Sequence, residues 1–148
     1  MSAIEDFPFL RMTEAKKLFF PKFDPMIKKL ILSFGYAFKG LAYATKSQLN
    51  FRIHLFAAVI AIALGFALNI TTGEWLWIAL SIAIVLLTEL TNTGIETLTD
   101  LVSPNYNEKA GHVKDICAGA VVVAATFALI TGIIIFLPKL ILLFHHAA

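Results

Sequence analysis

A single cysteine, Cys117, stands in the 148 residues, so no disulfide can form within the chain. Proline and glycine number only five and eight, which excludes collagen-like and linker-like compositions. Charged residues make up 15% of the chain, against about 25% in ordinary soluble domains. A net charge of +2 gives no support for nucleic-acid binding. GxxxxGK[ST], GxGxxG, CxxC and HExxH patterns are all missing, so the usual nucleotide-binding and zinc frameworks are excluded. His54 and His112 are too isolated to read as a metal pair. The first 25 residues carry Glu5, Asp6, Glu14 and Asp24 and lack a continuous apolar run, so a cleavable signal peptide is not expected. What the chain has in excess is hydrophobicity: 59% of residues are apolar, and the mean hydropathy of +0.82 points to lipid as the main solvent.

Three apolar runs account for that excess, at about 53–70, 75–101 and 116–137. The third is expected to end before Pro138, which lacks a backbone donor. Between Met26 and Thr45 the residues Ile27, Ile31, Phe34, Phe38 and Leu41 recur every three or four positions, predicting an amphipathic helix on the membrane surface. Residues 1–25, rich in proline, phenylalanine and lysine, read as an interfacial extension of the integral-membrane domain at 26–148. Nine of the twelve basic residues precede the first span, and Lys109 and Lys114 lie between the second and third. The positive-inside rule therefore predicts a cytoplasmic N-terminus and a C-terminus outside. Small residues recur every fourth position, at Ala57, Ala61 and Gly65 and again at Ala120, Ala124, Ala128 and Gly132, which predicts close helix packing.

The second run carries the chemistry. Glu89, Asn92, Glu96 and Asp100 are spaced by three, four and four residues, which keeps them within an arc of about 80° on one helix face. If Trp75 and Trp77 mark one interface, Glu89 lies about 21 Å into a hydrocarbon layer about 30 Å thick. Glu96 and Asp100, at about 31 and 37 Å, emerge near water on the far side. Acids are costly in lipid, so a stripe crossing from apolar to aqueous surroundings reads as a functional site centred on Glu89 and Glu96. Two alternatives stay open: an oligomeric ion or proton pathway lined by the same stripe, and a catalytically inactive scaffold. In the following loop Lys114 can hold a phosphate as a point charge, and Asp115 can cap the next helix.

The pattern E-x-x-N-T-x-I-E-x-x-x-D from Glu89 to Asp100, followed by Lys114-Asp115, resembles the signature of the small prokaryotic diacylglycerol kinases and undecaprenol kinases. The similarity extends to Y-A-F-K-G from Tyr36 and N-F-R-I-H ending at His54, and covers about residues 33–135. It implies an all-α membrane enzyme of the bacterial cytoplasmic membrane, a homotrimer with active sites between subunits, which moves the γ-phosphate of ATP to a lipid hydroxyl with Mg²⁺. By the same resemblance Glu89 is the general base, with Asn92 and Asp100 in the catalytic group. Glu96 binds Mg²⁺ and nucleotide. Lys29, Tyr36, Asn105, Asn107, Lys114 and Asp115 are the other nucleotide positions, and Phe51 and Arg52 lie beside the lipid substrate. Gln48 occupies the place of a second metal ligand that is a glutamate in relatives, and Asn105 and Asn107 stand where glutamate and histidine are common. The acceptor, diacylglycerol or undecaprenol, is left open by these motifs.

Overall fold

A computed structural model describes residues 25–147 of the chain as four helices: α1 (Pro25–Ser47), α2 (Leu49–Ala67), α3 (Thr72–Val102) and α4 (Glu108–Ala147). The extension expected over residues 1–25 falls, but for Pro25 at the start of α1, outside the described residues. The chain divides into two compact units at Gly40 and Leu41, so α1 contributes to both. In the first unit, residues 26–40 of α1 keep Ile27, Ile31, Phe34 and Phe38 exposed, and Lys39 Nζ lies 5.7 Å from the centre of the Tyr36 ring.

In the second unit α2, α3 and the Glu108–Leu143 stretch of α4 are each long and apolar enough to cross a membrane. No more than 33% of any of these spanning windows is buried inside the chain, so most of their apolar surface faces outward. α3 is the middle element: it packs along α4, makes a smaller contact with α2, and leaves α2 and α4 touching only marginally. The sequence of α3 explains this position. Its buried residues Ile78, Ser81, Val85, Glu89 and Asn92 fall at steps of three and four, forming one face. Five of its threonines, at 88, 91, 93, 97 and 99, donate their hydroxyls to carbonyls about one turn back, which satisfies polar side chains without help from water.

The turn between α2 and α3 is closed by chemistry specific to its residues. Asn69 adopts the left-handed conformation, φ 48°, which asparagine tolerates better than most side chains. Asn69 N–H donates to the Phe66 carbonyl and Ile70 N–H to the Gly65 carbonyl, the paired bonds of a Schellman cap. Thr71 then starts α3 with a capping box: its hydroxyl accepts from Glu74 N–H, and the Glu74 carboxylate accepts from Thr71 N–H at 2.6 Å. The same carboxylate lies 3.2 Å from Lys139 Nζ on α4. One acid therefore closes a helix and ties two helices together.

One expectation is corrected. α4 does not stop before Pro138 but continues through it. Proline removes one helical bond, but Ile135 and Phe136 before it and Leu140 after it all pack with one core cluster, with Ile70 and Ile78, and Lys139 is held by Glu74. Within the chain the small residues have different surroundings. Gly65 is buried against Trp75, while Ala57, Ala61, Ala128 and Gly132 border an open groove. A Cβ at Gly65 would come within 2.6 Å of the Trp75 ring, whereas at Gly73 it would meet nothing within 4 Å. Gly65→Ala is accordingly expected to destabilise the protein by about 1–3 kcal/mol, and Gly73→Ala to leave it as stable or more so. Thermal unfolding in detergent checks both, and equal midpoints for the two variants would contradict this packing.

Candidate active site

Glu89 is the largest fully buried side chain among the described residues, with 2% of its surface exposed. It therefore sits inside the helix bundle rather than against lipid. Its Oε2 is buried with no hydrogen-bond partner among the described residues, and the same holds for Oδ1 of Asn92. Buried oxygens normally have partners, so two orphans one turn apart are an expensive feature for a bundle to keep. The Asn92 amide donates to Glu96 Oε1 at 2.9 Å, fixing the carboxylate of Glu96 one turn further on. Thr93 donates to the backbone carbonyl of Glu89 at 2.9 Å. The stripe read from the sequence is thus assembled as expected over Glu89, Asn92 and Glu96.

An apolar groove of about 480 Å³ lies between α2, α3 and α4, lined on α3 as far as Val85 and Leu86 and by none of the stripe residues. It runs from His54, Leu86 and Ala125 at one end to Ala61, Ile78 and Leu140 at the other. Glu89 lies one turn beyond Val85, which lines the groove near its first end. His54 and Glu96 are the ionisable groups near enough to act on Glu89 electrostatically. His54, dismissed above as a metal ligand, therefore joins the site from α2. Its signal was its place in N-F-R-I-H. The groove had no sequence signal beyond its small residues, which read equally well as a packing seam.

At the other end of the stripe Asp100 and Lys114 form an ion pair between α3 and α4, with their side chains 66% and 35% exposed. The two residues were assigned separately from sequence, and fourteen positions apart they gave no periodic signal. Asp115 is exposed beside them; Lys114 and Asp115 lie inside α4 and not in the preceding loop, so Asp115 does not cap that helix as expected. Asn107 turns its side-chain oxygen to the N–H groups of Lys109 and Ala110, so it caps α4. Asn105 is exposed in the same connection. Phe51 is buried at the start of α2, and Arg52 next to it is exposed. Gln48 is the one non-helical residue between α1 and α2, partly buried, with no side-chain cap bond. Lys29 and Tyr36 belong to the first unit and are exposed there.

No group of three or more His, Cys, Asp and Glu side chains suited to a metal ion occurs among the described residues. The Glu96 carboxylate and the side-chain oxygen of Gln48 are nevertheless hard oxygen donors, the kind that Mg²⁺ takes together with substrate phosphates and water. The donor set fits a shared Mg²⁺ site and not a closed protein cage.

A sequence profile of the family described as prokaryotic diacylglycerol kinase matches residues 35–136. A diacylglycerol kinase of Synechocystis is 41% identical over 113 residues, which are 76% of this chain and 65% of that protein, so the chain spans just under two thirds of that relative. An undecaprenol kinase of Bacillus subtilis is 36% identical over 114 residues, 77% of this chain and 93% of its own length. A diacylglycerol kinase of Escherichia coli is 29% identical over 107 residues, 72% of this chain and 88% of that protein.

Asp100 and Lys114 are both substantially exposed, so their pairing is worth less than about 1 kcal/mol. Its expected effect is on access. Asp100→Asn is predicted to increase the rate at which an amine-selective reagent labels Lys114, read by peptide mass spectrometry, with little change in thermal stability. An unchanged labelling rate would contradict the pairing.

Proposed function

Since the chain belongs to the prokaryotic diacylglycerol kinase family, we propose that it is an integral-membrane lipid kinase that transfers the γ-phosphate of ATP to the hydroxyl of a membrane lipid alcohol. The relatives' names put diacylglycerol and undecaprenol forward as acceptors. The observation that carries the reading is the buried, unpartnered Glu89 oxygen one turn past an apolar groove. A lipid alcohol entering that groove brings a hydroxyl donor to an acceptor that has none, and its chain meets an apolar lining.

In this reading Glu89 Oε2 accepts the hydroxyl proton while the alcohol oxygen attacks the γ-phosphorus. An oxygen–phosphorus bond forms as the bond from the γ-phosphorus to the bridging oxygen breaks, and ADP departs. Asn92 holds Glu96 in place through its amide, and Glu96, with Gln48 as a second contributor, would hold Mg²⁺. The ion supplies charge neutralisation on the transferred group. Within the second unit Lys114 with Asp115, Asn105 and Asn107 make up the nucleotide side, with Lys114 exchanging Asp100 for a phosphate; Lys29 and Tyr36, in the first unit, are nucleotide positions by the family resemblance alone. Phe51 and Arg52 flank the lipid side. Catalysis then rests on positioning and electrostatics more than on covalent chemistry.

The outward apolar surface of the spans supports a multi-pass protein and leaves faces for further subunits; a homotrimer in the bacterial cytoplasmic membrane is the proposed assembly. The crowding of basic residues before α2, with Lys109 and Lys114 in the first turns of α4, supports a cytoplasmic N-terminus and a C-terminus outside.

The test is phosphorylation by purified protein in detergent with ATP, Mg²⁺ and either diacylglycerol or undecaprenol. One of the two is expected to be phosphorylated, with Glu89→Gln about 10²- to 10⁴-fold slower; phosphorylation of neither rejects the kinase. Gln48→Glu is expected to lower the Mg²⁺ concentration for half-maximal turnover, because a carboxylate is a stronger ligand than an amide. An unchanged requirement removes position 48 from the metal site.

A further inference from the structure

Besides His54, the groove contains a buried polar side chain that the kinase reading leaves idle. Ser81 lines it, is 3% exposed, and its Oγ has no hydrogen-bond partner among the described residues. Serine in an apolar helix ordinarily returns its hydroxyl to a carbonyl one turn back. Thr88, Thr91, Thr93, Thr97 and Thr99 on the same helix all do so, as does Ser47 on α1. Ser81 does not, and its buried hydroxyl is left without the bond that its neighbours make.

Ser81 and Glu89 are two turns apart on the buried face of α3, about 12 Å along the axis. In a diacylglycerol the ester carbonyl oxygens are five or six bonds from the free hydroxyl, roughly 6–7.5 Å when extended, since the zigzag leaves about 1.25 Å of advance for each bond of about 1.5 Å. With a hydrogen bond of about 2.8 Å at each end, the molecule bridges the interval. A polyprenol carries no acceptor at that distance from its hydroxyl and leaves Ser81 unpaired. The direction agrees as well. The hydroxyl lies at Glu89, the esters follow toward Ser81, and the acyl chains continue past Ile78 and Ala61 along an apolar wall.

We propose that Ser81 is a specificity-determining residue, which donates its hydroxyl to an ester carbonyl of a diacylglycerol whose free hydroxyl meets Glu89. This rests on the kinase reading and sharpens it, because it selects an ester-bearing glycerolipid over a polyprenol. Discrimination of this kind comes from a buried donor that the wrong substrate leaves unpaired.

The test compares kcat/KM for diacylglycerol, its dialkyl ether analogue, which lacks both carbonyls, and undecaprenol, in the parent protein and in Ser81→Ala. The parent is expected to favour the ester over the ether by roughly three- to tenfold, the value of one hydrogen bond. Ser81→Ala is expected to bring the ester down to the level of the ether and leave the ether unchanged. Equal use of ester and ether by the parent overturns the proposal without reference to the variant. So does an equal loss on both lipids in Ser81→Ala, which marks a structural role, and so does turnover of undecaprenol alone. In each of these cases the kinase stands. If no lipid is phosphorylated by the parent, the kinase reading fails and the proposal with it.

Discussion

Everything in the second unit depends on holding a carboxylate inside an apolar helix bundle with an oxygen left unpaired. Burying a charged group without a partner is among the costliest arrangements a protein can keep. Glu89 does not escape the cost by reaching the surface, and its side chain has 2% of its area exposed. What the arrangement provides is an acceptor ready for a donor that water does not supply. In the proposed reading a lipid alcohol is that donor, and the apolar groove ending one turn from Glu89 would take the rest of the molecule.

The surrounding polar chemistry is arranged so that few groups remain unsatisfied. The threonines of α3 return their hydroxyls to their own helix, Asn69 and Thr71 close the α2–α3 turn, and Asn107 caps α4. Against that background the orphan atoms stand out as a set, namely Ser81 Oγ, Glu89 Oε2 and Asn92 Oδ1. All three lie on the buried face of α3. Their common face places three unsatisfied polar atoms along one side of α3, from the groove toward Glu96.

The three spans and the acidic stripe were legible in the sequence because each depends on local spacing. Hydrophobic runs mark helices, and steps of three and four put Glu89, Asn92 and Glu96 on one face. Features that depend on two helices meeting were not. The Asp100–Lys114 pair joins residues fourteen apart, and Pro138 stays helical because residues on both sides of it belong to one core cluster. The small residues spaced by four had two physical outcomes, a close seam or a groove. Only the bulk of Trp75 filling the space at Gly65, and the lack of such a side chain at Ala57, Ala128 and Gly132, separates them. Ser81 was invisible because a serine in a span is unremarkable until its hydroxyl is seen to lack a partner.

The central claim is that Glu89 is reached from the lipid side and not from bulk water. Carbodiimides, which react with carboxyl groups, test it directly when an apolar and a water-soluble reagent are compared on the protein in lipid vesicles, with modified residues mapped by mass spectrometry. The account predicts that the apolar reagent modifies Glu89, that added lipid alcohol protects it, and that the water-soluble reagent modifies exposed Asp100 while sparing Glu89. Modification of Glu89 and Asp100 at similar rates by the water-soluble reagent would contradict it.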